Sequence, residues 1–267
     1  MRRAVIYLDG SPNDKDSLSF ALAFCERLDA RLSVLLILEP EEIYPAAMDS
    51  FVTVIDNSAA REAHAALGRQ AYREICAGKS FVDYAEATTG IADAIEAGGY
   101  LYDVTILERL TSSEGAEVAN FNAALFNSGA PVLITPPGNA ASTAERVGLV
   151  WNDSVPSARA IRSSLPILKR AKSVTIFTNA DNERAKPEDV QRYLSCHEIP
   201  AAAKRFKAGH LTARGRGRAV LEAVTAAGSD FMVMGAFGES RIEALLGLGR
   251  ATEKVVTACK IPLLVQA

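Results

Sequence analysis

The chain is poor in the residues that usually carry redox, metal or acid–base chemistry. Three histidines (64, 197 and 210) and four cysteines (25, 76, 196 and 259) are spread over 267 residues. No two cysteines form a CxxC pair or a finger spacing, so the expected state is four free thiols in a reducing compartment. Cys196 and His197 are neighbours, but no second ligand pair follows them, which argues against zinc there. The histidines belong to no catalytic motif: G-x-S-x-G, HExxH and Walker A patterns are absent. No run approaches 18 apolar residues, and the opening MRRAVIYLDG is too short to be a secretory leader. A cytoplasmic location without a membrane partner is therefore expected. A net charge of −3 argues against nucleic acid as a general partner.

What the chain has is a repeat. Its length suits two domains of about 130 residues, each large enough to be stable without staples. Residues 4–37, AVIYLDGSPNDKDSLSFALAFCERLDARLSVLLI, and residues 147–177, VGLVWNDSVPSARAIRSSLPILKRAKSVTIF, follow one plan. Each is an apolar strand, an Asp/Asn turn with a serine, a helix and a second strand. Ser11-Pro12 and Ser154 with Pro156 read as helix starts, in which a side-chain oxygen caps free amides. Leu18, Leu22, Cys25 and Leu28 share one helical face, as do Ile161, Leu165 and Leu168. Pro166 inside the second helix predicts a distortion.

The ends match as well: DVTIL (103–107) with DFMVM (230–234), and GAPVLITPPG (129–138) with KIPLLVQA (260–267). Both halves read strand, helix, strand, variable stretch, helix, strand, helix, strand. The helices before the fourth strands are expected near 91–98 and 218–227. Strands alternating with helices predict an α/β fold whose parallel sheet is covered on both faces. PPGNAASTAE (136–145) reads as a linker, and the domains are expected at 1–138 and 146–267.

These pieces, with Asp9-Gly10-Ser11 at the first turn and MGAFGESR (234–241) in the second half, resemble the universal stress protein family in its tandem form. The resemblance spans essentially the whole chain. It implies two tandem open parallel-sheet domains, Rossmann-like and adenine nucleotide alpha hydrolase-like, pairing through their last strands as an internal pseudo-dimer. It also implies a signalling or stress-tolerance role, protein partners and association of chains into a homodimer. ATP-binding members carry Gly-x2-Gly-x9-Gly followed by Ser or Thr between the fourth strand and the last helix. Here Gly235 and Gly238 match the first two glycines. The third falls on Leu248, with Gly249 one residue beyond and Arg250-Ala251-Thr252 following.

The physical reason for such a loop is independent of the family. Ligands of open parallel sheets bind beyond the strands' C-terminal ends, where strand order reverses. Glycines there allow close backbone approach, and a helix starting near 250 points free N–H groups at an anion. The resemblance implies ATP or AMP, with Mg²⁺, held by Asn152, Asp153, Thr178, Gly235, Gly238, Gly249, Arg250 and Thr252. Asn152 stands where the family has an adenine-side acid, and Thr178 would offer backbone groups to the adenine edge. No catalytic residue is expected, and any ATP hydrolysis would be slow and incidental.

The first half has ERLTSSEGAEVAN (108–120) in place of the glycine loop. Glu108 replaces the first glycine and would repel phosphate, so nucleotide is expected in the second half alone. Two readings stand: a nucleotide-binding second domain, or a protein-interaction module of the same fold.

Three further features fall outside that scheme. GHLTARGRGRAV (209–220) lacks the third glycine of a dinucleotide fingerprint and reads as a solvated helix start, whose arginines (214, 216, 218) oppose the dipole. Residues 41–80 read as a mobile insertion followed by a helix that buries Ala63, Leu67, Tyr72 and Ile75. Trp151, at a strand end, is expected to be half buried.

Overall fold

The computed structural model describes residues 1–38, 40, 43–45, 52–54, 58–110, 115–135, 138, 144–208, 211–236 and 250–267. The strands are β1 (Arg3–Leu8), β2 (Arg31–Leu38), β3 (Ile43–Pro45), β4 (Val52–Val54), β5 (Val82–Thr88), β6 (Val104–Leu107), β7 (Val132–Ile134), β8 (Arg146–Val150), β9 (Ser173–Asn179), β10 (Ala202–Phe206), β11 (Phe231–Gly235) and β12 (Leu263–Gln266). The helices are α1 (Asp14–Leu28), α2 (Ser58–Ile75), α3 (Ile91–Gly98), α4 (Ala116–Asn127), α5 (Val155–Leu168), α6 (Pro187–Ser195), α7 (Ala213–Ala226) and α8 (Arg250–Ala258).

Among the described residues, ten strands form one sheet in the order β10-β9-β8-β11-β12-β7-β6-β1-β2-β5. Every neighbouring pair is parallel except β12–β7, where Leu264 faces Leu133 across an antiparallel seam. Each half thus repeats one order, third-second-first-fourth-fifth, and the halves meet back to back through their last strands. The two tandem parallel-sheet domains and the internal pseudo-dimer are both present. β3 and β4 pair separately as an antiparallel ribbon.

Right-handed crossovers decide where the helices go. α1, α2, α5 and α6 cover one face, over a core that includes Ile6, Leu18, Leu32, Leu149 and Ile161. α3, α4, α7 and α8 cover the other, over Val5, Ile95, Val132, Met232 and Val256. The cores cross the seam. Phe24 of α1 stacks on Phe231 of β11 with ring centroids 6.4 Å apart, and Arg170 pairs with Asp29 at 2.6 Å. On the opposite face, Arg109 Nη1 donates to the Thr257 carbonyl at 2.8 Å.

Several local expectations change. Each variable stretch contains a helix and an edge strand, β5 or β10, and α7 begins at Ala213 rather than near 218. α2 buries Ala65, Gly68 and Ala71, while Ala63 is exposed and Leu67 is 46% exposed. Small residues win that face because a Cβ on Gly68 would run into the Leu36 side chain of β2. Tyr72 and Ile75 are half-buried. α5 continues through Pro166 to Leu168. Trp151 is half-buried, as expected.

The two helix starts differ. Ser154 caps α5 through a capping box: the Ser157 N–H donates to Ser154 Oγ at 3.3 Å, and the Ser154 N–H donates to Ser157 Oγ at 3.2 Å. Ser154→Ala is expected to cost about 1 kcal/mol in urea unfolding. Ser11 does not cap α1. The cap position is Asn13, without a side-chain capping bond, and the Ser11 hydroxyl turns toward Asp14 Oδ1, 3.5 Å away.

Candidate functional site

Strand order reverses once in each half, between β1 and β6 and between β8 and β11. These are the places where an open parallel sheet accepts a ligand beyond its strand ends. Because the halves run antiparallel across the seam, the two crevices open at opposite edges of the sheet.

The halves correspond residue by residue. β1 with its turn maps onto β8 with its turn so that Asp9, Gly10, Ser11 and Asp14 fall on Asn152, Asp153, Ser154 and Ser157. Glu108, one residue past β6, falls on Gly235 at the end of β11. Gly10 and Asp153 both take the left-handed conformation, at φ +80° and +62°. Aspartate is among the few residues that tolerate it.

The first crevice is acidic. Asp14 is 3% exposed, and its Oδ2 accepts the Gly10 N–H at 2.8 Å. Burial, then the neighbouring Asp9 carboxylate, push the Asp14 carboxyl up to about 7. Burial also raises Glu108, although the Ser17 hydroxyl at 3.0 Å and the Asn13 amide at 3.4 Å donate to its carboxylate. Asp9 Oδ1 accepts the Ser11 N–H at 2.9 Å, so Asp9 closes the turn. α2 presses on the same turn: a Cβ on Gly10 would lie 2.7 Å from His64 Cα and closer still to its carbonyl. A cavity of about 260 Å³ remains, lined by Asp9, Ser11, Leu38, Arg61 and His64.

The second crevice has neither Glu108 nor Asp14. Asn152 is exposed; its Oδ1 accepts the Ser154 hydroxyl at 2.7 Å, and its carbonyl accepts the Asn182 amide at 3.1 Å. Asp153 faces Arg184 at 3.4 Å. Gly235 lies against α5: a Cβ there would fall 2.6 Å from the Pro156 carbonyl carbon and closer to the Ser157 nitrogen. The absence of a side chain lets β11 touch the first turn of α5, a packing reason that holds with or without a ligand.

Thr178 sits inside β9, opposite Arg205 of β10, and is 1% exposed. Its Oγ1 and the Trp151 Nε1 are buried polar atoms without a hydrogen-bond partner among the described residues. β9 ends one residue later at Asn179, whose Oδ1 accepts the N–H groups of Asp181 and Ala208. Arg250 begins α8, and Thr252 in the first turn is 7% exposed. Gly238 and Gly249 lie outside the described residues. The structure therefore gathers Asn152, Asp153 and Gly235 at the ends of β8 and β11, sets Thr178 one strand away, and places Arg250 and Thr252 on the opposite face from α5.

Sequence reasoning passed over Asp14 and Ser157. The only signal for them was their matching place in the repeat. Among the described residues, no group of His, Cys, Asp and Glu could hold a metal ion, and no helix is long and apolar enough to cross a membrane.

No family model and no curated protein matches the sequence. Solved structures do match. A universal stress protein from Archaeoglobus fulgidus is similar over 99% of this chain and 95% of its own, with a TM-score of 0.74 and 15% identity. A functionally unknown protein from Pseudomonas aeruginosa is similar over 100% of this chain and 92% of its own, with a TM-score of 0.60 and 13% identity. At identities this low the likeness is one of fold. The chain has the fold of a tandem universal stress protein.

Proposed function

We propose that the chain acts as a universal stress protein, divided into domains at 1–138 and 146–267, and that the second domain binds an adenine nucleotide, ATP or AMP, in a signalling or stress-tolerance role. One observation carries this reading: at equivalent points of the repeat the first crevice holds Glu108 and buried Asp14, whereas the second holds Gly235 and Ser157. A phosphate entering the first crevice meets carboxylates; entering the second, it meets none at those two positions. Asn152 and Asp153 would face ribose and base. Gly238, Gly249, Arg250 and Thr252 would meet phosphate beside the free N–H groups of α8. Mg²⁺ would then arrive on the phosphates, since no metal-holding side-chain group lies among the described residues.

A second reading has its own support. The packing of Gly235 on Pro156 and Ser157 accounts for that glycine without a ligand, as in a protein-interaction module. Titration calorimetry with ATP, ADP and AMP, with and without Mg²⁺, separates the two. Binding should raise stability by about 2.7 kcal/mol at a hundredfold excess over Kd. Absence of both heat and thermal stabilisation at millimolar nucleotide selects the interaction module.

A further inference from the structure

The arginine-rich stretch that begins α7 builds a cleft. Gly217 faces α8: a Cβ there would lie 2.7 Å from the Ala251 carbonyl oxygen and 3.2 Å from Lys254 Cβ. The glycine therefore lets the two helices meet almost backbone to backbone. Beside this contact lies a cleft of about 710 Å³, within the range of small-molecule sites. Its polar lining is Thr212, Arg214, Arg218, Glu222, Lys254 and Thr257. Arg214 and Arg218 stand one turn apart, about 6 Å along the helix axis. Lys254 approaches from α8.

Among the described lining residues three cations, Arg214, Arg218 and Lys254, stand against one carboxylate, Glu222. Among the described residues neither Arg218 nor Lys254 forms an ion pair. Arg216, between the two arginines in sequence, donates to the Leu211 carbonyl at 3.1 Å and does not line the cleft. The charge also works against the helix. Thr212 caps α7 by accepting the Gly215 N–H, no acidic residue occupies the first turn, and Arg214 and Arg216 oppose the positive end of the dipole. A helix start chosen for stability would carry Asp or Glu there. Local charge that conflicts with the fold is the mark of a site serving something else.

We propose that the α7–α8 cleft binds a small polyphosphate. Arg218 offers a planar guanidinium fork suited to one phosphate, and Lys254 supplies a point charge from the facing helix. Cations on two facing helices suit linked phosphates better than a single ion. The cleft shares no lining residue with the β8–β11 crevice, and its reading does not depend on nucleotide binding there.

The test uses inorganic tripolyphosphate on the full chain, with an Arg218→Gln/Lys254→Gln double variant. Both side chains sit on helix surfaces, so the variant should fold, and without ligand it should melt at or above the wild-type temperature. Tripolyphosphate should bind the wild type with an affinity that weakens as salt rises, and at least tenfold less tightly to the variant. ATP and AMP, titrated in parallel, separate the free chain of phosphates from a nucleotide as the source. A fall in ATP but not AMP affinity in the variant assigns a nucleotide's phosphates to this cleft. Tripolyphosphate binding that is absent from the wild type, or equal in both proteins, overturns the proposal. Loss of AMP binding to the wild type alone bears on the β8–β11 crevice instead.

Discussion

Replacing Gly10 with alanine is expected to lower the unfolding free energy by about 2–5 kcal/mol, the sum of two separable costs. Gly10 sits at φ +80°, where a Cβ costs about 1–2 kcal/mol. The added methyl also strikes the backbone of His64 on α2, and overpacking of this kind costs about 1–3 kcal/mol. A control isolates the first term: Gly78 has φ +82° with nothing within 4 Å of its would-be Cβ, so Gly78→Ala carries the conformational cost alone. Denaturant melts of the two variants should therefore differ by the clash. Equal losses would mean that α2 moves aside at no cost. Gly235→Ala has no left-handed term and should lose about 1–3 kcal/mol through the α5 contact. It is for that reason a poor probe of phosphate binding.

The second large effect is on pH dependence. Asp14 titrates near 7 in the folded protein, against an ordinary value of 3.8. Between about pH 4 and pH 7 the folded chain keeps this proton while the unfolded chain has lost it. Stability from this group is thus fully present below pH 4 and is lost as pH rises toward and through 7. Glu108 acts in the same direction. Asp14→Asn stays neutral and can still accept the Gly10 N–H. It should flatten the pH profile and raise stability at pH 8 on the order of 1–3 kcal/mol, less than the full shift implies because the variant also changes the local hydrogen bonding. Urea melts at pH 5, 6, 7 and 8 on both proteins give the comparison, since carboxylates away from this crevice cancel in the difference. Parallel profiles would show that Asp14 is ionised and satisfied throughout.

Much of the fold was legible because the repeat prints it twice. The strands covered on both faces, such as RAVIYL and FMVMG, announce themselves as apolar runs. β5 and β10 were missed for the converse reason: VDYAEAT and AAKRF lie at the sheet edges, largely open to solvent, so burial leaves no pattern in them. α2 misled because its buried face is made of alanine and glycine, whereas hydrophobicity pointed to Leu67. At the site, the equivalence of Asp9 with Asn152 and of Glu108 with Gly235 could be read from the repeat. The packing of Gly235 could not, because Pro156 and Ser157 lie far from it in sequence. Nor could the burial of Asp14, since an aspartate in a first helical turn ordinarily signals a solvated, dipole-matched charge.

The antiparallel seam also sets the order of events during synthesis. β7 leaves the ribosome by Ile134, but its partner β12 starts only at Leu263, about 130 residues later. At ~5–20 residues per second that interval is on the order of ten seconds. Throughout it the first half can fold with the outer edge of its last strand unpaired, β7 being bonded to β6 on its other side and presenting Val132, Leu133 and Ile134 along the open edge. In the finished molecule those three residues are almost wholly buried. The nascent chain is therefore most exposed to strand-to-strand capture by a neighbouring copy on the same message, and that exposure ends only when the second half arrives to close its own sheet onto the first.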